Sequence, residues 1–169
     1  CELIYSWFSK KGDFVLDPFS GGSVRGIVSS FLSRRYWGCE LREEQIKSNE
    51  YQCQKILNEE IKPTYILGDS VKQVSLAPQS DLIFSCPPYW NLEKYSENEK
   101  DLSAMSFNDF SLAYEKIIQK TCKKLRQDRF ACFVVSNFRD KDGHYIDFVG
   151  MTIRAFSRSG LLLYNDIVL

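Results

Sequence analysis

The chain alternates short apolar runs with helical patterns along almost its whole length. Runs suited to strands occupy residues 13–16, 36–41, 65–67, 81–85, 130–135 and 161–169. Helical periodicity fills residues 24–32, 42–60, 106–125 and 148–156. Strands that alternate with helices in this way predict an α/β fold, in which a mostly parallel sheet carries helices on both faces. The run at 130–135 is the most apolar, so we expect it to be central in the sheet.

Composition limits the class of the domain. A length of 169 residues, with 44% hydrophobic and 26% charged residues, predicts one packed domain and excludes a disordered or collagenous chain. Basic and acidic residues number 22 each, so bulk charge does not indicate a nucleic-acid partner. The sequence contains no membrane-spanning run and no signal peptide, which predicts a soluble cytoplasmic protein with no membrane partner.

The cysteines and the chain ends carry two further expectations. Six cysteines lie far apart without a C-x-x-C pair, which predicts reduced thiols rather than a metal site or a disulfide scaffold. The chain opens on Cys1 and stops on Leu169 inside an apolar run. We therefore expect it to be an excerpt of a longer polypeptide.

Polar or conformationally special residues follow four successive strands at the point where each strand ends. They are Asp17, Glu40, Asp69 and the tetrad Cys86-Pro87-Pro88-Tyr89. Each acid alone could equally cap the following helix. Ligands of an open parallel sheet bind at the carboxyl ends of its strands, so acids after three strands favour one shared crevice.

The acids of this crevice discriminate among nucleotide ligands. Carboxylates would repel a pyrophosphate, which needs N–H groups and cations around it. Gly21 and Gly26 have the Walker A spacing, but Ile27 stands where the lysine belongs, and no G-x-G-x-x-G occurs. Glu40 can accept hydrogen bonds from ribose hydroxyls and Asp69 from an adenine amine, while the negative field favours a sulfonium. S-adenosylmethionine combines these parts.

Two motifs resemble those of the amino-group DNA methyltransferases. The segment Asp17-Pro18-Phe19-Ser20-Gly21-Gly22-Ser23 is similar to that family's cofactor motif Asp-Pro-Phe-x-Gly-x-Gly. The tetrad is similar to its catalytic motif, (Asp/Asn/Ser)-Pro-Pro-(Tyr/Phe/Trp). Glu2-Leu3-Ile4 stands where the family has a helix that helps to hold the methionine end of the cofactor. The chain looks closest to small adenine or cytosine methylases of phages, mobile elements and restriction-modification systems.

The resemblance implies a fold, a reaction and a partner. It implies a Rossmann-like methyltransferase fold whose last strand is missing from the chain, and one catalytic domain over residues 1–169 without a target-recognition domain. The reaction would be methyl transfer from S-adenosylmethionine to N6 of adenine or N4 of cytosine in DNA. A missing C-terminal region or a partner protein would then grip the DNA, and the oligomeric state is left open.

The resemblance also assigns site residues. Cofactor contacts fall on Asp17, Pro18, Phe19, Gly21, Ser23, Glu40, Leu41, Asp69 and Ser70. Contacts to the acceptor amine fall on Ser85, Cys86, Pro87, Pro88 and Tyr89. We expect substrate contacts from the long loop at 90–105 and the charged turn at 139–143, through Trp90, Tyr95, Arg139 and Lys141.

The chemistry of an exocyclic amine accounts for the tetrad. The site must accept N–H hydrogen bonds, and a Pro-Pro turn offers rigid carbonyls with few competing donors. Tyr89 offers a flat face on which an extruded base could stack. An ordinary strand-ending turn with a core tyrosine is the alternative interpretation of the same residues.

Cys86 departs from the family pattern. A thiol is a weak hydrogen-bond partner, so Ser85 or the Pro87 carbonyl could act as acceptor instead, or activity could be slow or lost. A nucleophilic Cys86 would suggest C5-cytosine methylation, but that family places proline before its cysteine. Ser23 in place of the second glycine is a milder change. RNA or protein glutamine as substrate, and a non-catalytic cofactor-binding domain, stay open as alternatives.

Overall fold

A computed structural model describes residues 1–58 and 60–168 of the chain. Five strands form one parallel sheet: β1 (Phe14–Asp17), β2 (Arg35–Glu40), β3 (Thr64–Leu67), β4 (Ser80–Ser85) and β5 (Leu125–Phe133). The helices are α1 (Glu2–Phe8), α2 (Val24–Phe31), α3 (Glu43–Ile56), α4 (Ser70–Gln73), α5 (Phe107–Cys122) and α6 (Phe148–Arg158). A short hairpin, β6 (Phe138–Arg139) and β7 (Tyr145–Ile146), precedes α6. The predicted α/β fold is confirmed.

Helices cover both faces of the sheet because successive strand residues point to opposite sides. On one face, Val15 and Leu82 pack with Ile27 of α2 and Ile46 of α3. On the other face, Leu16, Trp37 and Ile83 pack with Val74 and Ala77 after α4. A third cluster joins α5, α6 and the hairpin around the fully buried Phe110, Ile118 and Phe148. The result is a three-layer sandwich with its core on both sides of the sheet.

The order of the strands in the sheet determines where the crevice lies. The sheet runs β3-β2-β1-β4-β5, so the chain moves outward on one side of β1 and then returns to pair β4 with β1 on the other. The carboxyl ends of β1 and β4 are therefore neighbours at the point where the order reverses, which is where open α/β sheets bind ligands. The cofactor-like segment 17–23 follows β1, and the tetrad follows β4.

The most apolar strand is not central, contrary to the sequence-based expectation. Within the described residues β5 lies at the edge of the sheet, and β1 and β4 occupy its middle. The strand also begins earlier than predicted, at Leu125, with four exposed residues before Phe130. Its apolar half is covered by side chains rather than by another strand, since Phe130 packs against Phe8 and Tyr164.

The predicted last strand at 161–169 is not formed. Residues 161–168 carry no strand, and Leu169 lies outside the described residues. Within this segment, Leu162 and Val168 are almost fully exposed. An apolar run adopts a strand only where a neighbouring strand accepts its backbone hydrogen bonds, and this segment has no such neighbour in the described part of the chain.

The predicted helix at 42–60 is shorter than expected. It ends at Ile56, and Glu59 lies outside the described residues. Ile46 and Cys53 face inward, whereas Ile56 is exposed, and the polar Asn49 takes the inward position between Ile46 and Cys53. The spacing 46, 49 and 53 follows one helical face, so α3 presents a polar group to the site.

The remaining features agree with the sequence or add to it. All six cysteines are free thiols, of which Cys1 is exposed and the others are buried or half-buried. The hairpin, the short α4 and three 3-10 turns at 74–76, 90–92 and 102–104 were not predicted. Among the described helices, none combines the length and apolar character that crossing a membrane requires.

Candidate functional site

One cavity of about 530 Å³ opens at the carboxyl ends of the strands. It brings together most of the residues that the sequence assigned to the site. These are Pro18, Phe19, Gly21, Glu40, Leu41, Asp69, Ser70, Cys86, Pro87, Pro88, Tyr89 and Tyr95. Residues from four strand ends and the long loop therefore share one crevice, as the sequence predicted.

Asp17 lies behind the cavity wall rather than in it. Its side chain is 0% exposed. The carboxylate accepts hydrogen bonds from the backbone N–H of Phe19 at 3.0 Å and from the Tyr36 hydroxyl at 2.6 Å. It also accepts from Arg25 Nε at 2.5 Å and from the Ser85 hydroxyl. These four hydrogen bonds turn the Asp17 carboxylate toward protein partners that support the loop after β1. A direct contact of Asp17 with the cofactor stays a prediction.

Arg25 extends this buried network into the loop. Its Nη2 donates to the carbonyl oxygens of Phe19 at 2.7 Å and Ser20 at 2.9 Å. Burial disfavours the cation, yet Asp17 and Tyr36 keep the pKa of Arg25 above its ordinary value. Burial, reinforced by Asp17, also holds the pKa of Tyr36 well above its ordinary value, so its hydroxyl stays a donor. Arg25 thus connects the buried Asp17 to the loop that follows β1 and fixes the conformation of that loop.

Glu40 reaches the cavity from the end of β2. One carboxylate oxygen accepts the backbone N–H of Arg42 at 2.9 Å, and the guanidinium of Arg42 lies 3.6 Å from the same oxygen. The side chain is only 11% exposed. Burial raises the pKa of Glu40, although the Arg42 contacts oppose that change. Glu40 therefore presents a carboxylate to the cavity from a largely dry position.

Asp69 and Ser70 enter the cavity at the start of α4. Asp69 caps this helix through the backbone N–H of Val71 at 2.8 Å. The Ser70 hydroxyl donates to the Pro18 carbonyl at 2.6 Å, which ties the end of β3 to the loop after β1. Asp69 accordingly combines the capping role that the sequence left open with a position on the cavity wall.

Cys86 opens the tetrad at the end of β4 and is half-buried. Burial raises the pKa of its thiol, only partly opposed by Arg25, so the group is a neutral thiol at physiological pH. A raised pKa disfavours a nucleophilic thiolate. Pro87 and Pro88 carry no N–H, so this stretch of the wall offers carbonyl acceptors with few donors.

Tyr89 is the last residue of the tetrad, and its ring packs against two other aromatic rings. Its ring centroid lies 5.8 Å from that of Phe138 and 5.3 Å from that of Phe148. The residue is half-exposed and lines the cavity. Packing by the hairpin and α6 therefore fixes an aromatic ring at the cavity wall.

Two serines predicted for the site do not line the cavity. Ser85 is fully buried and donates to Asp17, and its role as the acceptor that could replace Cys86 stays a prediction. Ser23 stands at the start of α2, but its hydroxyl bonds the Gln52 side chain instead of capping the helix. In both cases the hydroxyl pairs with a residue distant in sequence, which local sequence does not reveal.

The loop at 90–105 carries two aromatic residues predicted to contact substrate, and only one of them lines the cavity. Trp90 does not line the cavity: its indole N–H donates to the Met105 carbonyl at 3.0 Å and its ring packs on Phe107. Trp90 therefore connects the two ends of the loop, and its contact with substrate stays a prediction. Tyr95 does line the cavity, and its N–H donates to the Ser103 hydroxyl at 3.0 Å.

The charged turn at 139–143 lies outside the cavity. Arg139 donates to the Gly143 carbonyl at 2.8 Å, and Lys141 is exposed. The neighbouring Phe138 touches the Tyr89 ring, so the hairpin lies beside the tetrad. Contact of Arg139 and Lys141 with a nucleic-acid phosphate stays a prediction.

The same turn gathers three potential metal ligands. Side-chain atoms of Asp140, Asp142 and His144 lie within 4.8 Å of one another. Asp140 accepts the backbone N–H groups of Asp142 and His144 at 3.0 and 2.8 Å. The hydrogen bonds of the turn account for this grouping.

Several cavity residues were missed by sequence reasoning. Arg42 and Gln45 line the cavity from the start of α3, and Glu93, Lys100 and Asp101 line it from the long loop. Asn49 of α3 supports the site from within: it is 0% exposed and donates to the Gly21 carbonyl at 2.7 Å. A polar residue within the apolar stripe of a helix is the signal that would have identified Asn49.

The N-terminal part of the chain is similar in sequence to known methyltransferases. Residues 2–51 match the profile of the N6_N4_Mtase family, described as DNA methylase. A segment of 46 residues is 39% identical to the type II methyltransferase M2.DpnII of Streptococcus pneumoniae. That segment covers 27% of the chain and 17% of the relative, so the chain spans a minor part of this relative's length.

Solved structures share the fold at low identity. A TehB-like SAM-dependent methyltransferase from Corynebacterium glutamicum superposes with a TM-score of 0.62 at 17% identity, covering 97% of this chain and 73% of that one. Magnesium protoporphyrin IX methyltransferase from Synechocystis, solved with bound SAM, gives 0.63 at 14%, covering 92% and 62%. TrmN from Thermus thermophilus gives 0.61 at 13%, covering 78% and 36%.

The comparisons agree with the first motif, at residues 17–23, and with the topology. The superpositions confirm the Rossmann-like methyltransferase fold. The profile match covers α1, the loop after β1 and Glu40, which carry the resemblance noted in the sequence. Residues 2–51 are thus similar to the amino-group DNA methylases, and the chain as a whole has the fold of Rossmann-like methyltransferases.

Proposed function

We propose that the chain transfers a methyl group from S-adenosylmethionine to an exocyclic amino group of a DNA base, at N6 of adenine or N4 of cytosine. One observation carries the proposal: the loop after β1, Glu40, Asp69 and the tetrad all line a single cavity. The DNA methylase profile favours a DNA base over other amines.

The polar groups of the cavity suit this cofactor. Glu40 offers a carboxylate for ribose hydroxyls, and Asp69 offers one for the adenine amine. Arg25, Arg42 and Lys100 also line the cavity, but Glu40 and Asp69, at the ends of β2 and β3, oppose a pyrophosphate placed against them. When bound, S-adenosylmethionine supplies an electrophilic methyl group on a sulfonium. The chain's own task is to hold the acceptor nitrogen in line with that group.

The tetrad suits an amine acceptor. The carbonyl oxygens of its Pro-Pro turn can accept the N–H hydrogen bonds of the amine, and the nitrogen lone pair then points toward the methyl group. The Tyr89 ring offers a stacking surface for a base that has left the duplex. A base within the helix cannot present its amine to a cavity of this depth.

The test measures methyl transfer to DNA, RNA and protein in parallel. Tritiated S-adenosylmethionine is supplied with each substrate, and nucleosides from the DNA of expressing cells are analysed by mass spectrometry. We expect N6-methyladenine or N4-methylcytosine. Label only in RNA or in protein glutamine would replace the DNA proposal, and cofactor binding without any transfer would favour a non-catalytic cofactor-binding domain.

Substitution of Cys86 tests the acceptor side. Cys86→Asn adds an amide oxygen where the thiol is a weak partner, so we expect turnover to rise about three- to ten-fold, the effect of one hydrogen bond. Cys86→Asp should act in the same direction. Cys86→Ala, which removes the thiol without adding an acceptor, serves as the control and should show no gain. An asparagine variant no faster than the unaltered chain would contradict the role of this position.

Acidification tests Glu40. Its pKa is raised by burial, and the ionised carboxylate accepts stronger hydrogen bonds from ribose hydroxyls than the protonated acid does. Cofactor affinity should therefore be highest at pH values above the raised pKa of Glu40, and it should fall as the pH drops through that pKa. This fall should occur at a higher pH than it would for an exposed glutamate. Calorimetric titration at a series of pH values measures the effect. Glu40→Gln should bind about ten-fold more weakly at neutral pH, and its affinity should not vary across that range of pH.

A further inference from the structure

Arg42 lies where three parts of the site meet. It stands at the start of α3, directly after the strand that ends in Glu40. Its backbone N–H and its guanidinium both approach the same Glu40 oxygen, at 2.9 and 3.6 Å. Its guanidinium carbon also lies 5.9 Å from the centroid of the Tyr95 ring, on the loop that follows the tetrad.

A row of side chains connects Arg42 to the loop after β1. Arg42 Nη2 donates to Gln45 Oε1 at 3.0 Å, and Gln45 Nε2 donates to Asn49 Oδ1 at 2.9 Å. Asn49 Nδ2 then donates to the Gly21 carbonyl at 2.7 Å. Because Asn49 is fully buried, this end of the row is shielded from competing water.

On the other side of Arg42, Tyr95 lies in the 90–105 loop, which contains hydrogen bonds of its own. The Tyr95 hydroxyl donates to Glu93 at 2.7 Å, and burial raises the pKa of this hydroxyl to about 12, so it stays a donor. Asp101, which is almost fully buried, accepts from Ser96 and Ser103. Nevertheless Tyr95 is 44% exposed, so its ring is only partly packed, and the guanidinium of Arg42 is one of its neighbours at the cavity.

We infer that Arg42 is a positioning residue that couples cofactor contacts at Gly21 and Glu40 to the placement of the Tyr95 ring, so that a bound cofactor orders the 90–105 loop over the crevice. This inference rests on the proposed function. Arginine suits the task because its planar guanidinium can stack on a ring while it donates at its edge, which a lysine ammonium cannot do.

Linkage makes the coupling measurable from both sides. If cofactor binding raises the equilibrium constant for ordering of the loop by some factor, ordering of the loop raises the affinity for cofactor by the same factor. A cation–π contact at a part-exposed site sets that factor at about two- to five-fold. Trypsin reports on the loop, which contains Lys94 and Lys100, and mass spectrometry of the fragments identifies each cut.

The experiment combines this proteolysis with calorimetry of S-adenosylmethionine binding. In the unaltered chain, cofactor should slow cleavage at Lys94 and Lys100 by about two- to five-fold. Arg42→Lys and Tyr95→Ala should each remove this protection and weaken binding by a similar factor. The double variant should be no weaker than either single variant, since both remove one interaction. Tyr95→Phe, which keeps the ring, should retain protection.

The controls separate the possible failures. Arg158→Lys alters an exposed arginine paired with Glu115 on another face and should change neither readout. Additive losses in the double variant, or full protection in Arg42→Lys, would overturn the coupling while leaving the proposed function intact. Absence of cofactor binding by the unaltered chain would overturn the proposed function and the coupling together.

Discussion

Asp17→Ala is expected to lower the free energy of unfolding by about 3–5 kcal/mol, and to abolish cofactor binding. Removal of one partner from a buried ion pair leaves the other charge uncompensated, which is the costly case. Here the charge left behind is that of Arg25, whose side chain is 16% exposed. The Tyr36 and Ser85 hydroxyls would lose their acceptor as well.

Denaturant unfolding and calorimetry measure the two effects. Asp17→Asn combined with Arg25→Gln removes both charges and keeps polar groups, so it should be less destabilising than Asp17→Ala alone. Arg126→Ala is the matched control: it breaks an Arg–Asp pair whose arginine is 48% exposed, and should cost less than about 1 kcal/mol. Unchanged cofactor affinity in a folded Asp17→Ala protein would refute the role given to this carboxylate.

Tyr89→Ala is expected to lower kcat/KM for methyl transfer by about ten- to a hundred-fold, while cofactor affinity stays close to that of the unaltered chain. Loss of a base–aromatic stack accounts for a change of that size. The ring lines the cavity and is held by Phe138 and Phe148, so its position is defined before substrate arrives.

The ring and the hydroxyl of Tyr89 can be separated. Tyr89→Phe keeps the stacking surface and should retain most of the activity. Tyr145→Ala removes an exposed aromatic ring from the neighbouring hairpin and serves as the control for general loss of aromatic surface. Full turnover in a folded Tyr89→Ala protein would show that the tyrosine is an ordinary core residue, the alternative interpretation of the tetrad.

The chemistry of the site was predictable to the extent that it follows strand ends. Glu40, Asp69 and the tetrad could be located because parallel strands deliver their carboxyl ends to one edge of the sheet. The glycine loop and the tetrad could be assigned to a cofactor site and an acceptor site because they resemble motifs of the amino-group DNA methyltransferases. These features depend on local sequence and on one general property of α/β folds.

Burial decided which of the predicted site residues lie behind the cavity wall. Asp17, Ser23 and Ser85 stand in or beside segments that reach the cavity, but each is buried and has its polar group hydrogen-bonded to another side chain. Those partners are distant in sequence: Ser85 meets Asp17 across 68 positions, and Ser23 meets Gln52 across 29. No local pattern records such pairs. For the same reason Arg25 and Arg42 were overlooked.

Sheet order could not be derived from hydrophobicity either. The run at 130–135 is rich in apolar residues, yet β5 lies at the edge, where aromatic side chains rather than another strand cover it. The apolar run at 161–168 has strand composition but forms no strand. Strand pairing is a long-range choice, whereas composition reports only that a segment favours burial.

The sequence by itself determined the alternation of strands and helices, the two motifs, and the edge of the sheet at which they meet, because these follow from periodicity and from residues with special backbone chemistry. Only the tertiary structure decided which polar groups face the cavity and which support it from behind. That division depends on contacts between segments far apart in the chain. In this protein such contacts place Asp17 beneath the site and Arg42 beside it.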